Sequence, residues 1–302
     1  MAKKIALIGV PMDLGASTRG SAGGPAAIRR TELAKRLAGL GLTVEDRGDI
    51  AVPARPPKAG QSKMKYAAEI REACRTLARE THAAVRDGWL PVALGGDHSL
   101  AMGSAAGVSK YFHAEGEKIG LLWVDAHGDM NTPATTPSGN VHGMPLAHLV
   151  GLGERGLNRI AGFSPAVDPS RACLIGIRDL DEAEKENIRR CGVRVFTMAD
   201  IDRRGLAHIV EQAIDHAGEN AAGLHVSFDI DAADPSIAEG VGTKKRGGLT
   251  YREAHLLMEI VAESKRMVSL DMVEVNPLED SHNTTAELAS ELVQSALGKR
   301  IY

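Results

Sequence analysis

The chain has 302 residues, of which 43% are hydrophobic and 25% charged, and its formal net charge is −3 at pH 7. This balance provides no general attraction to nucleic acid or anionic lipid, so we expect small molecules and copies of the chain itself as partners. No apolar run approaches the roughly 18 residues that span a bilayer, and the first apolar stretch is too short for a secretory signal, so a cytoplasmic location is expected.

Short β-branched or leucine-rich runs alternate with longer helical patterns along the chain. This alternation predicts βαβ units in one domain, residues 1–302, with a mostly parallel, doubly wound sheet and helices on both faces. The predicted strands cover residues 4–10, 90–96, 118–127, 172–177, 193–196, 223–231 and 266–275. The predicted helices cover residues 24–40, 63–87, 181–190, 205–217, 250–264 and 284–297, and the predicted loops cover residues 53–60 and 131–141.

Three segments place metal-ligating side chains directly after predicted buried strands: GGDHS at 95–99, DAHGDMN at 125–131 and SFDIDAADP at 227–235. Ligand sites of open α/β sheets form at the carboxyl ends of the strands, so these segments are expected to converge in one crevice. Alternate residues of an extended chain lie about 6–7 Å apart on the same side, which suits two ions better than one. The candidate metal ligands are His98, Asp125, His127, Asp129, Asp229 and Asp231.

Each of these residues alone has an ordinary structural interpretation, because an aspartate after a strand is often a helix cap and a lone histidine is usually structural. The six residues together favour a metal site, since four buried carboxylates repel one another unless cations lie between them. Two divalent ions would balance the four charges, and a water bridging them would become a hydroxide nucleophile near neutral pH. An oxygen-rich set favours a hard or borderline ion such as manganese over a thiolate-type zinc site.

Five motifs, GGDHS, DAHGDMNTP, SGNVHGMPLA, SFDIDAADP and DMVEVNPLED, resemble in order and spacing the signatures of the ureohydrolase (arginase and agmatinase) family. The resemblance covers essentially the whole chain and is closest to bacterial members. It implies an eight-stranded sheet of the arginase/deacetylase type, two Mn²⁺ per subunit, and hydrolysis of L-arginine to L-ornithine and urea. It also implies a homo-oligomer, either a trimer or a hexamer.

The resemblance assigns each metal ligand a position. One ion would be bound by His98 and Asp129, the other by His127 and Asp231, and the bridging ligands would be Asp125 and Asp229. The implied catalytic residues are His142, Glu274 and Asp129.

The two catalytic residues outside the metal set have chemically sensible roles. Glu274 would bind the guanidinium, since a carboxylate suits a planar cation with paired N–H donors. His142 would transfer protons, because an imidazole titrates near neutral pH. The simpler alternatives are a surface charge that ends a strand and a loop histidine without a role.

The 131–142 loop resembles the arginase branch of the family. Asn131, Ser138 and Asn140 match the groups that bind the substrate α-carboxylate, whereas agmatinase-type relatives, whose substrate lacks that group, do not usually have the SGNxHG pattern. Asp181 matches the acid near the α-amino group, although a helix N-cap is an alternative role for it. Thr243 matches a residue near the guanidinium.

The loop after Asp234 departs from the family pattern. Glu239 and the run 244–246 stand where relatives more often have prolines or apolar residues, which concerns the pocket rim and not the metal ligands. Two other functions remain open: hydrolysis of agmatine or a guanidino acid, and a non-catalytic, regulatory metal-binding role. A single-zinc deacetylase is disfavoured by six ligands arranged for two ions.

Overall fold

The computed structural model describes residues 3–58 and 63–300, and eight parallel strands form its central sheet. The strands are β1 (Lys4–Val10), β2 (Thr43–Asp49), β3 (Leu90–Gly95), β4 (Ile119–Val124), β5 (Ala172–Ile177), β6 (Arg194–Thr197), β7 (Gly223–Asp229) and β8 (Met267–Val273). Their spatial order is β2-β1-β3-β8-β7-β4-β5-β6, and all neighbouring pairs are parallel. The predicted α/β class with a parallel eight-stranded sheet is confirmed.

Helices connect the strands and cover both faces of the sheet. Within the described residues they are α1 (Gly24–Arg30), α2 (Leu33–Gly39), α3 (Ala67–Arg86), α4 (Ala101–Ala114), α5 (Pro145–Leu149), α6 (Glu182–Cys191), α7 (Met198–Arg204), α8 (Leu206–Gly218), α9 (Tyr251–Ser264) and α10 (Thr284–Ala296). The apolar side chains of α3 to α6 pack on one face, and those of the other six helices pack on the opposite face. No helix among the described residues is both long and apolar enough to cross a membrane.

Burial on both faces explains the composition of the central strands. Every residue of β3, β4 and β7 is buried. β3 and β4 are continuous apolar runs without the alternation of a half-exposed sheet, whereas β7 alternates apolar residues with the buried polar residues His225, Ser227 and Asp229. Most of the longer helices are amphipathic instead. In α3, for example, Ile70, Cys74, Leu77 and Ala84 recur at helical spacing and form its buried side.

The predicted strands agree with the observed ones to within a few residues, and β2 is the strand that the sequence analysis missed. Its sequence TVEDRGD lies at the sheet edge, and most of its residues are exposed. An edge strand of this kind lacks the apolar pattern on which strand prediction depends. Arg29 on α1 forms ion pairs with Asp46 and Asp49 of β2.

The predicted helices also needed correction. The helix predicted at 24–40 is interrupted at Glu32, whose φ of 58° cannot continue a right-handed helix, so it forms α1 and α2. The helix predicted at 63–87 begins at Ala67. Helices α4, α5 and α7 were not predicted; the first nine residues of α4 are all buried and many of them are small, so this helix has little amphipathic pattern. Residues 59 and 60 of the loop predicted at 53–60 lie outside the described residues.

The order of the strands decides where the site lies. The four central neighbours β3, β8, β7 and β4 are parallel, so their carboxyl ends share one edge of the sheet. GGDHS, DAHGDMN, SFDIDAADP and DMVEVNP each begin within or directly after one of these strands. The fold therefore brings the four motifs together at the edge where ligands of open α/β sheets bind.

Close packing of α3 against α4 provides a test of the fold. A Cβ atom at Gly107 on α4 would overlap Thr81 and the Ala78 carbonyl oxygen of α3. We expect Gly107→Ala to lower the free energy of unfolding by about 2 kcal/mol, measured by urea denaturation. Gly39→Ala, at the last residue of α2, is the control, because a Cβ atom there would meet no side chain and no other part of the fold within 4 Å, and it should raise stability by at most about 0.5–1 kcal/mol. Wild-type stability in Gly107→Ala would contradict the described packing.

Candidate functional site

A cavity of about 240 Å³ opens at the carboxyl edge of the central strands. Most of the predicted site residues line it: His98, His127, Asp129, Asn131, Ser138, Asn140, His142, Asp181, Asp229 and Thr243. The other three, Asp125, Asp231 and Glu274, are buried behind its walls. The structure thus brings all the predicted site residues into one region.

The first candidate metal-ligating group surrounds His98, which follows β3. Its Nδ1 atom lies 3.1 Å from Asp125 Oδ2, 3.1 Å from Asp129 Oδ2 and 3.2 Å from Asp229 Oδ2. All four side chains are buried. Asp129 has a φ of 52°, a left-handed conformation uncommon outside glycine, so the local backbone is constrained to direct this carboxylate inward.

The second group surrounds His127, which follows β4. Its Nδ1 atom lies 3.1 Å from Asp231 Oδ2 and 3.4 Å from Asp125 Oδ1. Asp125 therefore directs one carboxylate oxygen to each group. Asp229 directs Oδ2 to the first group, while its Oδ1 accepts a 2.8 Å hydrogen bond from the backbone N–H of Asp231. Thr243 donates its hydroxyl to Asp231 Oδ2 at 3.0 Å.

The surroundings of His98 fit a cation ligand. Its Nε2 atom is 2.8 Å from the Ser227 hydroxyl, and its ring stacks on Trp123 at 4.0 Å, which fixes the ring orientation. Trp123 also donates Nε1–H to Asp125 Oδ2 at 3.0 Å. Nδ1 is buried without a hydrogen-bond partner among the described residues, although three carboxylate oxygens face it. Such an unpartnered nitrogen beside acceptor oxygens is the arrangement of a histidine metal ligand with an oriented outer nitrogen.

The protonation of the two groups also indicates that they can bind cations. Burial and then the charge of Asp125 raise the pKa of Asp129 to about 6 and also raise the pKa of Asp231. Burial alone would lower the pKa of His127, but Asp231 and Asp125 outweigh it and raise that pKa to about 12. Protons therefore offset the carboxylate repulsion in the protein alone, and divalent cations can replace them. The donor set of carboxylate oxygens and imidazoles suits such ions.

Glu274 and His142 form a buried pair beside the first group. His142 Nδ1 lies 3.0 Å from Glu274 Oε1, which also accepts a 2.8 Å hydrogen bond from the backbone N–H of His98. Glu274 itself has a φ of 64°. Burial would lower the pKa of His142, but the charge and hydrogen bond of Glu274, followed by the charges of Asp97 and Asp129, raise it to about 9. His142 is therefore largely protonated at neutral pH.

The outer part of the cavity is formed by the 131–142 loop and the start of α6. Asn131 donates its amide to Asp181 Oδ2 at 2.9 Å, and Ser138 Oγ accepts from the backbone N–H of Asn140 at 3.1 Å. The carbonyl oxygen of the Asn140 side chain accepts from Lys65 Nζ at 3.0 Å. Asp181 is the N-cap residue of α6 and also lines the cavity, so its two predicted roles are compatible.

Several residues that support the site were missed in the sequence analysis. Trp123 and Ser227 each precede a predicted ligand aspartate by two positions, so strand alternation places them on the same side as that aspartate and could have identified them. Asp97 lies within GGDHS, where burial and the charge of Glu274 raise its pKa to about 6. No local sequence pattern could have identified Arg178 or Glu184.

Arg178 and Glu184 hold the loops that carry the ligands. The Arg178 guanidinium donates to the carbonyl oxygens of Asp231 at 2.7 Å and Lys245 at 2.9 Å. Glu184 accepts from the backbone N–H groups of Met130 at 2.9 Å and Asp181 at 3.2 Å. Each therefore ties a cavity segment to the end of β5 or to α6.

The loop that departs from the family pattern forms ion pairs near the cavity. Lys244 Nζ lies 3.1 Å from Glu279 Oε2, and Lys245 Nζ lies 2.5 Å from Asp179 Oδ2. Glu239 accepts from the backbone N–H of Ser281 at 3.1 Å. The departure thus changes the charged rim and leaves the two metal-ligating groups intact.

Comparison with known proteins gives full-length matches. Residues 3–298 match the model of the Arginase family. An arginase of Bacillus caldovelox is 45% identical over 301 residues, 99% of each chain, and its native structure at pH 5.6 superposes with a TM-score of 0.95, covering 99% of this chain and 100% of that one. The structure of an Entamoeba histolytica arginase in complex with L-ornithine is 30% identical, with a TM-score of 0.90 and 99% of each chain covered.

The raised histidine pKa predicts that metal binding depends on pH. His127, with a pKa near 12, carries a proton in the metal-free protein and must lose it to coordinate an ion. Affinity for Mn²⁺ should therefore weaken as the pH falls, by about tenfold per pH unit for each proton released. Calorimetric titration at pH 8.5 and 6.5, in two buffers of different ionisation enthalpy, measures both affinity and proton release. Equal affinities at the two pH values would contradict this assignment.

Proposed function

The chain belongs to the arginase family, and we propose that it hydrolyses the guanidinium group of L-arginine to give L-ornithine and urea. It is a hydrolase of C–N bonds in linear amidines, of the bacterial type. The observation that carries the proposal is the pair of histidine–carboxylate groups that share Asp125 at the inner end of one polar cavity. The full-length match to arginases supports the same reaction.

Two divalent cations fit the two groups, and we propose that both are Mn²⁺ because carboxylate oxygens dominate the donor set. When bound, they supply Lewis acidity, which lowers the pKa of water at the site and polarises the substrate. The proposed ligands of the two ions are His98 and Asp129 for one, His127 and Asp231 for the other, and Asp125 and Asp229 for both.

Glu274 and His142 would act on the substrate from beside the first group. Oε1 of Glu274 accepts from His142 and from the backbone of His98, so Oε2 is the atom proposed to accept from the guanidinium. Cleavage of the C–N bond leaves an amine that needs a proton. His142, with a pKa near 9, holds one at neutral pH, and with Nδ1 engaged by Glu274 its Nε2 atom is the proposed donor. Asp129 completes the catalytic set as a metal ligand.

The outer cavity would select the amino-acid end of the substrate. Asn131, Ser138 and Asn140 are proposed to bind the α-carboxylate, and Asp181 is proposed to bind the α-amino group. Thr243 lies beside the second metal-ligating group and is proposed to contact the guanidinium. Agmatine lacks the α-carboxylate. The neutral donors of Asn131, Ser138 and Asn140 therefore favour arginine over agmatine as the substrate.

Other properties of the protein are proposed on the same basis. One catalytic domain, residues 1–302, would act in the cytoplasm on a small-molecule substrate, without nucleic-acid or membrane partners. Homo-oligomerisation to a trimer or a hexamer is also proposed. The net charge of −3 is consistent with the absence of a nucleic-acid partner.

Urea release from L-arginine tests the proposed function directly. We expect the manganese-loaded protein to form urea from L-arginine, with kcat/KM at least about 10²-fold above that for agmatine, because a carboxylate site is left unpaired by agmatine. A colorimetric urea assay with both substrates measures this. Metal-loaded protein that forms no urea would support the non-catalytic alternative, and a preference for agmatine would contradict the assignment of Asn131 and Ser138.

Replacing His142 tests the proton-transfer role. His142→Ala should lower kcat by about 10²–10⁴-fold, because it removes a general acid, while the manganese content is unchanged. His208→Ala is the control, since that histidine contacts Gln212 on α8, and it should leave kcat unaltered. A kcat for His142→Ala close to that of the wild type would contradict the proposed proton transfer.

A further inference from the structure

The outward nitrogen of His127 faces an acid that is not among the metal-ligating residues. His127 Nδ1 faces the carboxylates of the second group, and its Nε2 atom lies 3.8 Å from Asp179 Oδ2. A carboxylate beside the outer nitrogen of a ligand histidine orients the ring and makes the ligand nitrogen more basic, which strengthens metal binding. The strength of this effect depends on how much negative charge Asp179 retains.

Lys245 competes for that charge. Its Nζ atom lies 2.5 Å from Asp179 Oδ2, the same oxygen that faces His127. The ammonium is thus much closer to this oxygen than the imidazole is. The negative charge available to His127 is therefore reduced by the ion pair with Lys245.

Hydrogen bonds fix the backbone of each partner of this ion pair. The backbone N–H groups of Arg178 and Asp179 donate to the Ala126 carbonyl oxygen, at 2.9 and 3.1 Å, next to His127. The Arg178 side chain donates to the Lys245 carbonyl oxygen at 2.9 Å. The backbones of both partners are therefore fixed beside the second group, so the two side chains need only a local adjustment to form the pair.

We propose that Lys245 is a positioning residue that weakens metal retention at the second group by neutralising Asp179. The proposal rests on the proposed function, because it requires a metal ion at His127. Its consequence is that the rim loop, and not only the ligands, sets how fast the protein exchanges its metal. A mutation outside the cavity lining can then change metal affinity without altering a ligand.

The matched control is the neighbouring lysine. Lys244 also forms one ion pair, with Glu279 at 3.1 Å, and the exposure of the two pairs is nearly the same: 40% and 42% for Lys244 and Glu279, 43% and 44% for Lys245 and Asp179. Lys244→Met and Lys245→Met remove the same charge from adjacent positions. Only the second substitution frees a carboxylate that faces a metal ligand.

Metal loss from the manganese-loaded protein to excess EDTA provides the measurement, with released Mn²⁺ followed by elemental analysis after rapid desalting. We expect Lys245→Met to lose manganese about 3- to 10-fold more slowly than the wild type, below the range of 10- to 100-fold found when an outer partner is removed completely. Lys244→Met should match the wild type. Equal or faster loss from Lys245→Met, or the same slowing in both variants, would overturn the proposal.

A double-mutant cycle tests whether Lys245 acts through Asp179. In the Asp179→Asn background the Lys245→Met substitution should no longer slow manganese loss, because the carboxylate that it frees is absent. Slowing that persists would overturn the role through Asp179 and indicate a direct effect of the lysine charge. Failure of the wild type to retain manganese or to form urea would instead contradict the proposed function, so the two failures are distinguishable.

Discussion

Repulsion among four buried aspartates is the constraint on which the site depends. The parallel order of β3, β8, β7 and β4 brings Asp125, Asp129, Asp229 and Asp231 to one edge, where burial removes the water that would otherwise screen their charges. Positive charge must enter between them, as protons in the protein alone or as cations in its metal-loaded form. The imidazoles of His98 and His127 define where this positive charge lies, because each directs one nitrogen to these carboxylates and the other nitrogen away from them. The capacity to bind cations, and the proposed catalysis that depends on them, both follow from this repulsion among the aspartates.

The surrounding residues convert that crowding into a defined geometry. Ser227 and Trp123 orient His98, while Arg178 holds the backbone of Asp231 and the rim loop together. Left-handed backbone at Asp129 and Glu274 costs conformational energy, which the buried surroundings must offset. A site of this kind has little freedom to rearrange. Its charges and hydrogen-bonding groups are therefore already in position before the substrate arrives, which favours electrostatic stabilisation of a transition state.

Much of this could be predicted from the sequence, because its signals are local. Apolar residues that lead up to Asp125 and Asp229 indicate both a central strand and the edge at which it ends. The charged edge strand β2 was missed because exposure removes the apolar pattern, and the interruption at Glu32 was missed because a single left-handed residue has no periodic signature. Arg178 and Lys245 were beyond reach for another reason: their partners are distant in sequence, and nothing local encodes a contact across the fold.

The composition of β2 also restricts how copies of this chain can associate. A sheet that ends in unpaired backbone groups can be extended by a strand from another molecule, and an apolar edge would permit such growth. Here the terminal strand has acidic and basic side chains along TVEDRGD, and Arg29 of α1 holds Asp46 and Asp49 beside it. Strand-by-strand polymerisation at this edge is therefore disfavoured.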